Sequence, residues 1–202
     1  MILVVDYGLG NLASVRNALA RVGADAEITS DPDRLQAATG LILPGVGAAS
    51  EGMKRMRARG LDTAVVERAR AGAPILGICL GMQLLFERSD EGDAACLGLL
   101  PGMVRRLDGP MKVPHIGWNQ VEARPGSSMF AGLQERTYFY FVHSYICVPT
   151  NGDVCAGTTE YGRSFTSAVV AGPVWGTQFH PERSGEAGLR LIANFAALCA
   201  DC

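Results

Sequence analysis

Five consecutive apolar residues, Met1-Ile2-Leu3-Val4-Val5, open the chain, and a helical pattern with Leu12, Val15, Leu19 and Val22 on one face follows. The alternation of apolar strand and amphipathic helix then continues. It predicts strands over residues 1–6, 25–29, 40–43 and 74–78, and helices over 11–22, 48–59 and 61–71. Strands that are apolar on both faces and separated by helices imply an open, mostly parallel α/β sheet with helices on both faces. From about Val104 the period changes to alternation, which predicts strands over residues 138–147, 153–159, 164–170 and 174–179. A last helix is expected over 186–199, with Leu189, Ile192, Phe195 and Ala196 inward. No repeat, low-complexity tract or linker divides the pattern, so one domain over residues 1–202 is expected.

Composition narrows the class. Apolar residues make up 48% of the chain and aromatics only 7%, which suits an aliphatic core of helices on a sheet. A formal net charge of −2 provides no broad basic field for nucleic acid or anionic lipid. No apolar run reaches the ~20 residues that span a bilayer. The chain starts directly on a strand, so no signal peptide and a cytoplasmic protein are expected. With no export signal and a sizeable core, the six cysteines are not expected to form a disulfide framework. Cys147 and Cys155 fall in strand-like segments and read as core. The tail Cys199-Ala200-Asp201-Cys202 has C-x-x-C spacing but no second ligand pair for zinc, and reads as a frayed helix end. No metal site and no cofactor are expected.

The chemistry gathers at strand ends. Gly77-Ile78-Cys79-Leu80-Gly81 follows the apolar run Pro74-Ile75-Leu76 with the spacing of a nucleophile elbow, sulfur replacing oxygen. A thiol on such a turn points off the sheet edge toward a helix N-terminus, which favours the thiolate. Of the three histidines, His180 carries an orienting group, because Glu182 lies two residues on in Phe179-His180-Pro181-Glu182. Side chains two apart in an extended chain share a face. Cys79, His180 and Glu182 are therefore expected as nucleophile, base and orienter. Pro44-Gly45-Val46-Gly47 ends the third strand without a G-x-G-x-x-G or Walker pattern. Beside the elbow, backbone N–H groups of Val46 and Gly47, with that of Leu80, can serve an oxyanion. All of these lie at the carboxyl ends of strands, where open sheets collect ligands.

Gly77-Ile78-Cys79-Leu80-Gly81-Met82-Gln83 together with Phe179-His180-Pro181-Glu182 resembles the class I (triad) glutamine amidotransferases, and the match runs from the first strand to the last helix. The resemblance implies a flavodoxin-like sheet and hydrolysis of L-glutamine to glutamate, with ammonia passed to a synthase. Asp6-Tyr7-Gly8-Leu9-Gly10-Asn11 and Val113-Pro114-His115-Ile116-Gly117-Trp118-Asn119 are similar to the glutaminase subunits of imidazole glycerol phosphate synthase, in histidine biosynthesis. By that likeness Gln83, one helical turn after Cys79, and Glu91 contact substrate amide and α-amino groups. His143, Ser144 and Tyr145 form a strand end whose main chain meets the α-carboxylate, with His143 structural rather than a base. The partner implied is a cyclase of (β/α)₈-barrel fold in a heterodimer, met by Asn11, Trp118, Asn119 and Arg183. Arg183 stands where a lysine is frequent, and Trp118 equally fits a core position. The alternatives are a glutaminase for another acceptor, as in anthranilate or pyridoxal phosphate synthesis, a stand-alone γ-glutamyl hydrolase, or a non-catalytic binding subunit.

Overall fold

The computed structural model describes residues 1–200; Asp201 and Cys202 of the tail C-x-x-C lie outside the described residues. The first half alternates as β1 (Ile2–Val5), α1 (Leu12–Arg21), β2 (Ala26–Thr29), α2 (Pro32–Leu35), β3 (Gly40–Gly45), α3 (Ala49–Ala58), α4 (Leu61–Arg70), β4 (Ile75–Cys79) and α5 (Leu80–Leu84). The second half is mostly strand: β5 (Arg88–Ser89), β6 (Ala94–Ala95), β7 (Gly102–Arg106), β8 (His115–Ala123), β9 (Arg136–His143), β10 (Tyr145–Pro149), β11 (Cys155–Glu160), β12 (Ser164–Ala171) and β13 (Val174–Thr177), before α6 (Gly185–Ala200).

The strand order is β2-β1-β3-β4-β13-β12-β10-β7-β5-β6, with β11, β8 and β9 branching from β12. The strands from β2 to β13 run parallel to one another, and β12 turns antiparallel against β13. Successive side chains on a strand face opposite sides, so Ile2 and Val4 enter one core while Leu3 and Val5 enter the other. α1 and α6 close the first core with Val15, Leu19, Leu191 and Phe195. α3 and α4 close the second with Met53, Met56, Leu61 and Val65. The expected open sheet covered on both faces is what the chain forms.

Several segments depart from the pattern read in the sequence. The single strand expected over 138–147 is two strands broken at Ser144. β9 pairs with β8, whereas β10 pairs with β7 and β12, so the chain changes ladders at that residue. The hairpin of β5 and β6 and the strands β7 and β8 have no counterpart in the pattern. The hairpin is too short to show a period, and β8 carries its apolar Ile116 and Trp118 on an exposed face, with Gly117 at φ +131° between them. α2 is a single turn set by Asp31, whose carboxylate accepts from the Asp33 N–H at 3.0 Å ahead of Pro32.

Candidate active site

Parallel register brings the site together. Gly45 lies beside Cys79 at the ends of β3 and β4, and Thr177 of β13 lies beside Ile78. Cys79 sits at φ 54°, ψ −107°, a conformation that L-residues rarely adopt. The glycines around it are required by contact. A Cβ on Gly77 would lie 2.7 Å from the Gly81 backbone, and one on Gly81 would run into the Leu43 carbonyl. The turn can therefore close only with small residues on either side of the thiol. α5 behind it is five residues long, so the full helix dipole expected at the sulfur is reduced to little more than one turn.

His180 Nδ1 meets Glu182 Oε1 at 2.8 Å, both side chains being buried. The geometry differs from the extended pair expected. β13 ends at Thr177, and Pro181–Arg183 form a 3-10 turn that swings Glu182 back to the ring. Ser184 Oγ fixes this turn, donating to the His180 carbonyl at 2.6 Å and accepting from the Tyr140 N–H at 3.0 Å. The other ring nitrogen, Nε2, is buried without a hydrogen-bond partner. Burial opposes a charged ring, but the Cys79 sulfur and the Glu182 carboxylate outweigh it and raise the His180 pKa to about 10. The imidazolium is thus the resting form at neutral pH.

A cavity of about 390 Å³ opens over the sulfur, lined by Val46, Gly47, Ala48, Cys79, Leu80, Gln83, Glu91, Pro114, Val142, His143, Ser144 and Tyr145. Nine of the residues singled out in the sequence line it: Val46, Gly47, Cys79, Leu80, Gln83, Glu91, His143, Ser144 and Tyr145. Gly47 takes φ +99°, open to glycine and strained for other residues. Glu91 Oε2 accepts from the Ala49 N–H at 3.0 Å, so this carboxylate also anchors the start of α3 just after the Gly47 turn. His180 and Glu182 lie behind the cavity wall rather than on it. A larger cleft of about 710 Å³, between α1, α6 and residues 132–138, is lined by no cysteine or histidine.

His143 is buried and its pKa falls to about 3, chiefly through burial, while that of His115 falls to about 4 for the same reason. Both rings are neutral at physiological pH and act as fixed hydrogen-bonding groups. Asn11, Trp118, Asn119 and Arg183 lie outside the cavity. Trp118 is 56% exposed, its ring set edge-on to Tyr140 at 6.2 Å, and the Arg183 guanidinium lies 5.8 Å from the same Tyr140 ring. Asn119, next along β8, faces the opposite way, donating to the Glu160 carbonyl at 2.9 Å. Asn11 stands at the start of α1 with no side-chain cap bond.

Sequence reasoning did not assign Gln178, His115 or Ser184. The contacts of all three depend on which strands pair and in what register, which no local pattern reveals. The Tyr7 hydroxyl, buried beneath Gly45, has no hydrogen-bond partner. Burial, and secondarily charge at Cys79, push its pKa well above the ordinary phenol value. Among the described residues no group of three or more His, Cys, Asp or Glu could hold a metal ion.

Known proteins match along nearly the whole chain. A family model described as glutamine amidotransferase class-I covers residues 3–199. A Moorella thermoacetica protein named imidazole glycerol phosphate synthase subunit HisH is 51% identical over 199 residues, spanning 98% of this chain and 94% of its own length. A protein of the same name from Symbiobacterium thermophilum is 49% identical over 201 residues, spanning 99% and 95% respectively. Among solved structures, a crystal structure of a glutamine amidotransferase aligns with TM-score 0.77 at 22% identity, covering 97% of this chain and 98% of that one. A chain from the structure of PurLQS from Thermotoga maritima aligns with TM-score 0.75 at 22% identity, covering 96% of each. At such identities the structures speak for the fold alone, while the family model and the close relatives settle descent: this chain belongs to the class-I glutamine amidotransferases.

Proposed function

We infer that this chain, as one amidotransferase domain, is the glutaminase subunit of an imidazole glycerol phosphate synthase. It hydrolyses L-glutamine to glutamate and ammonia and hands the ammonia to a cyclase subunit. The reading is carried by one observation: a strained cysteine at the floor of a 390 Å³ cavity, backed by a buried histidine and carboxylate pair.

Glutamine enters with its α-ammonium toward Glu91 and its α-carboxylate toward the main chain at Ser144 and Tyr145. Gln83 and His143 complete the wall. The Cys79 thiolate attacks the side-chain amide carbon, and the N–H groups of Leu80 and of the Val46 and Gly47 turn take the oxyanion. His180, already an imidazolium, gives its proton to the departing nitrogen. Formation of the thioester removes the thiolate charge that held the ring protonated, so the ring's pKa drops. His180 can then act as base toward water in the second half-reaction. Glu182 orients the ring throughout and keeps its own charge.

The partner is a cyclase of (β/α)₈-barrel fold, in a heterodimer. Support comes from an exposed apolar face beside the cavity rim: Ile116, Trp118 and Tyr138 are 60%, 56% and 56% exposed. Trp118 and Arg183, bridged by Tyr140, and Asn11 are placed at this contact, and Asn119 braces it from behind. The reaction belongs in the cytoplasm, where Cys79, Cys96, Cys147 and Cys155 remain free thiols. Co-purification with a barrel cyclase, with glutamate release followed with and without the cyclase and its nucleotide ligand, tests the assignment. Strong stimulation is expected; equal rates in all three states would assign the chain to another reaction.

A further inference from the structure

The hydrogen bonds around the Tyr145 carbonyl can be assigned a direction, because that oxygen can only accept. Gln83 Nε2 lies 3.3 Å from it and therefore donates. The same nitrogen lies 3.1 Å from Gln178 Oε1, so Gln178 presents its oxygen there and turns its amide nitrogen the other way. That nitrogen sits 3.6 Å from the Cys79 sulfur. From the other side His143 Nδ1, 2.9 Å from the Tyr145 carbonyl, must also donate, which leaves its Nε2 to accept from His115 Nδ1 at 3.0 Å. His115 Nε2 then accepts from Asn119 Nδ2 at 3.3 Å. Asn119 is oriented in turn, since its Oδ1 accepts from the Gln120 N–H at 2.8 Å. Each donor in this chain, which runs inward from half-buried Asn119, is fixed by its neighbour, and the Gln178 N–H points at the nucleophile.

We propose that Gln178 is a catalytic residue whose side-chain N–H binds the Cys79 thiolate, held in that orientation by Gln83 and the Tyr145 carbonyl. This rests on the glutaminase reading above and adds to it a donor to sulfur beyond the Cys79, His180 and Glu182 set. The need for it is structural. The five-residue α5 supplies little dipole, and the Val142 carbonyl at 3.9 Å can only accept and so favours the thiol, which leaves Gln178 as the neutral donor to sulfur beside the charged His180 ring. Gln178 is 0% exposed, so its N–H is not shared with water. Charge-assisted bonds of this kind are the stronger ones.

Alkylation of the full chain by iodoacetamide at neutral pH, with the modified peptide mapped, reads thiolate directly. Cys96 is pushed up to about 11 and Cys147 well above its ordinary value by burial, so neither competes. Gln178→Met keeps the shape and loses the donor. It is expected to slow Cys79 alkylation about tenfold and to lower kcat with the cyclase by a similar factor, with KM for glutamine little changed. Wild-type alkylation in the folded variant would overturn the proposal while leaving the glutaminase reading intact. A Cys79 that resists alkylation in the wild-type chain would instead overturn that reading. Should Gln178→Met fail to fold, the side-chain amide protons of Gln178 in the wild-type chain decide by NMR. They are expected to shift on alkylation of Cys79, and unchanged resonances would overturn the proposal.

Discussion

His180 is where the physical account is most exposed to measurement. Its pKa of about 10 lies above the ordinary 6.5, so the stabilisation it gains from Cys79 and Glu182 is complete below pH 6.5 and is lost as pH rises through about 10. Thermal melts of the wild type and Glu182→Gln should therefore differ most near pH 6, with the gap closing toward pH 10; a gap that widened with pH would contradict the ion pair. Tyr7 makes the opposite kind of prediction. Its buried hydroxyl has no partner, so Tyr7→Phe should raise stability by about 1 kcal/mol in denaturant titration. At this scale much was legible in the chain: Cys79, His180 and Glu182 announce themselves by spacing within seven-residue stretches. The amide of Gln178 against the sulfur did not, because it depends on Thr177 falling beside Ile78, a register between segments far apart in sequence.

Among the elements, the elbow shows most plainly why particular residues are required. The turn after β4 places Gly81 directly under the Leu43 carbonyl and Gly77 against the start of α5. Gly81→Ala should cost at least about 3 kcal/mol, measured by urea unfolding, because the opposing atom is backbone and cannot rotate aside; stability within 1 kcal/mol of the wild type would mean that the turn is looser than described. The long parallel strands and their helices were readable because an apolar run or a helical stripe is a local property. The break at Ser144 was not, since its cause is a change of partners from β8 to β7 and β12 rather than any breaker residue. That break is also what puts the main chain of Ser144 and Tyr145 on the cavity wall. Glu182 reached His180 as expected, but by a 3-10 turn in place of an extended chain, since Pro181 opens the turn immediately after the ring.

Across the whole molecule, the chemistry sits at the ends of β3, β4 and β13, beside the exposed face of Ile116, Trp118 and Tyr138. A large aromatic anchored on Tyr140 at the centre of a contact is the kind of residue whose truncation costs most. Trp118→Ala should weaken the complex with the cyclase by about 2 kcal/mol or more, seen as a loss in calorimetric affinity; an unchanged affinity would move the interface elsewhere. The composition and the alternating strand pattern identified the class of sheet, while the exposed apolar face proposed for a partner became visible only once β8 and β9 were paired. Everything functional turns on whether the sulfur of Cys79 carries the acyl group. Acid quenching of the chain turning over glutamine with its cyclase, followed by peptide mass analysis, should find a γ-glutamyl group on the peptide containing Cys79. Glutamate released at full rate with that peptide unmodified, or by Cys79→Ala, would contradict the account.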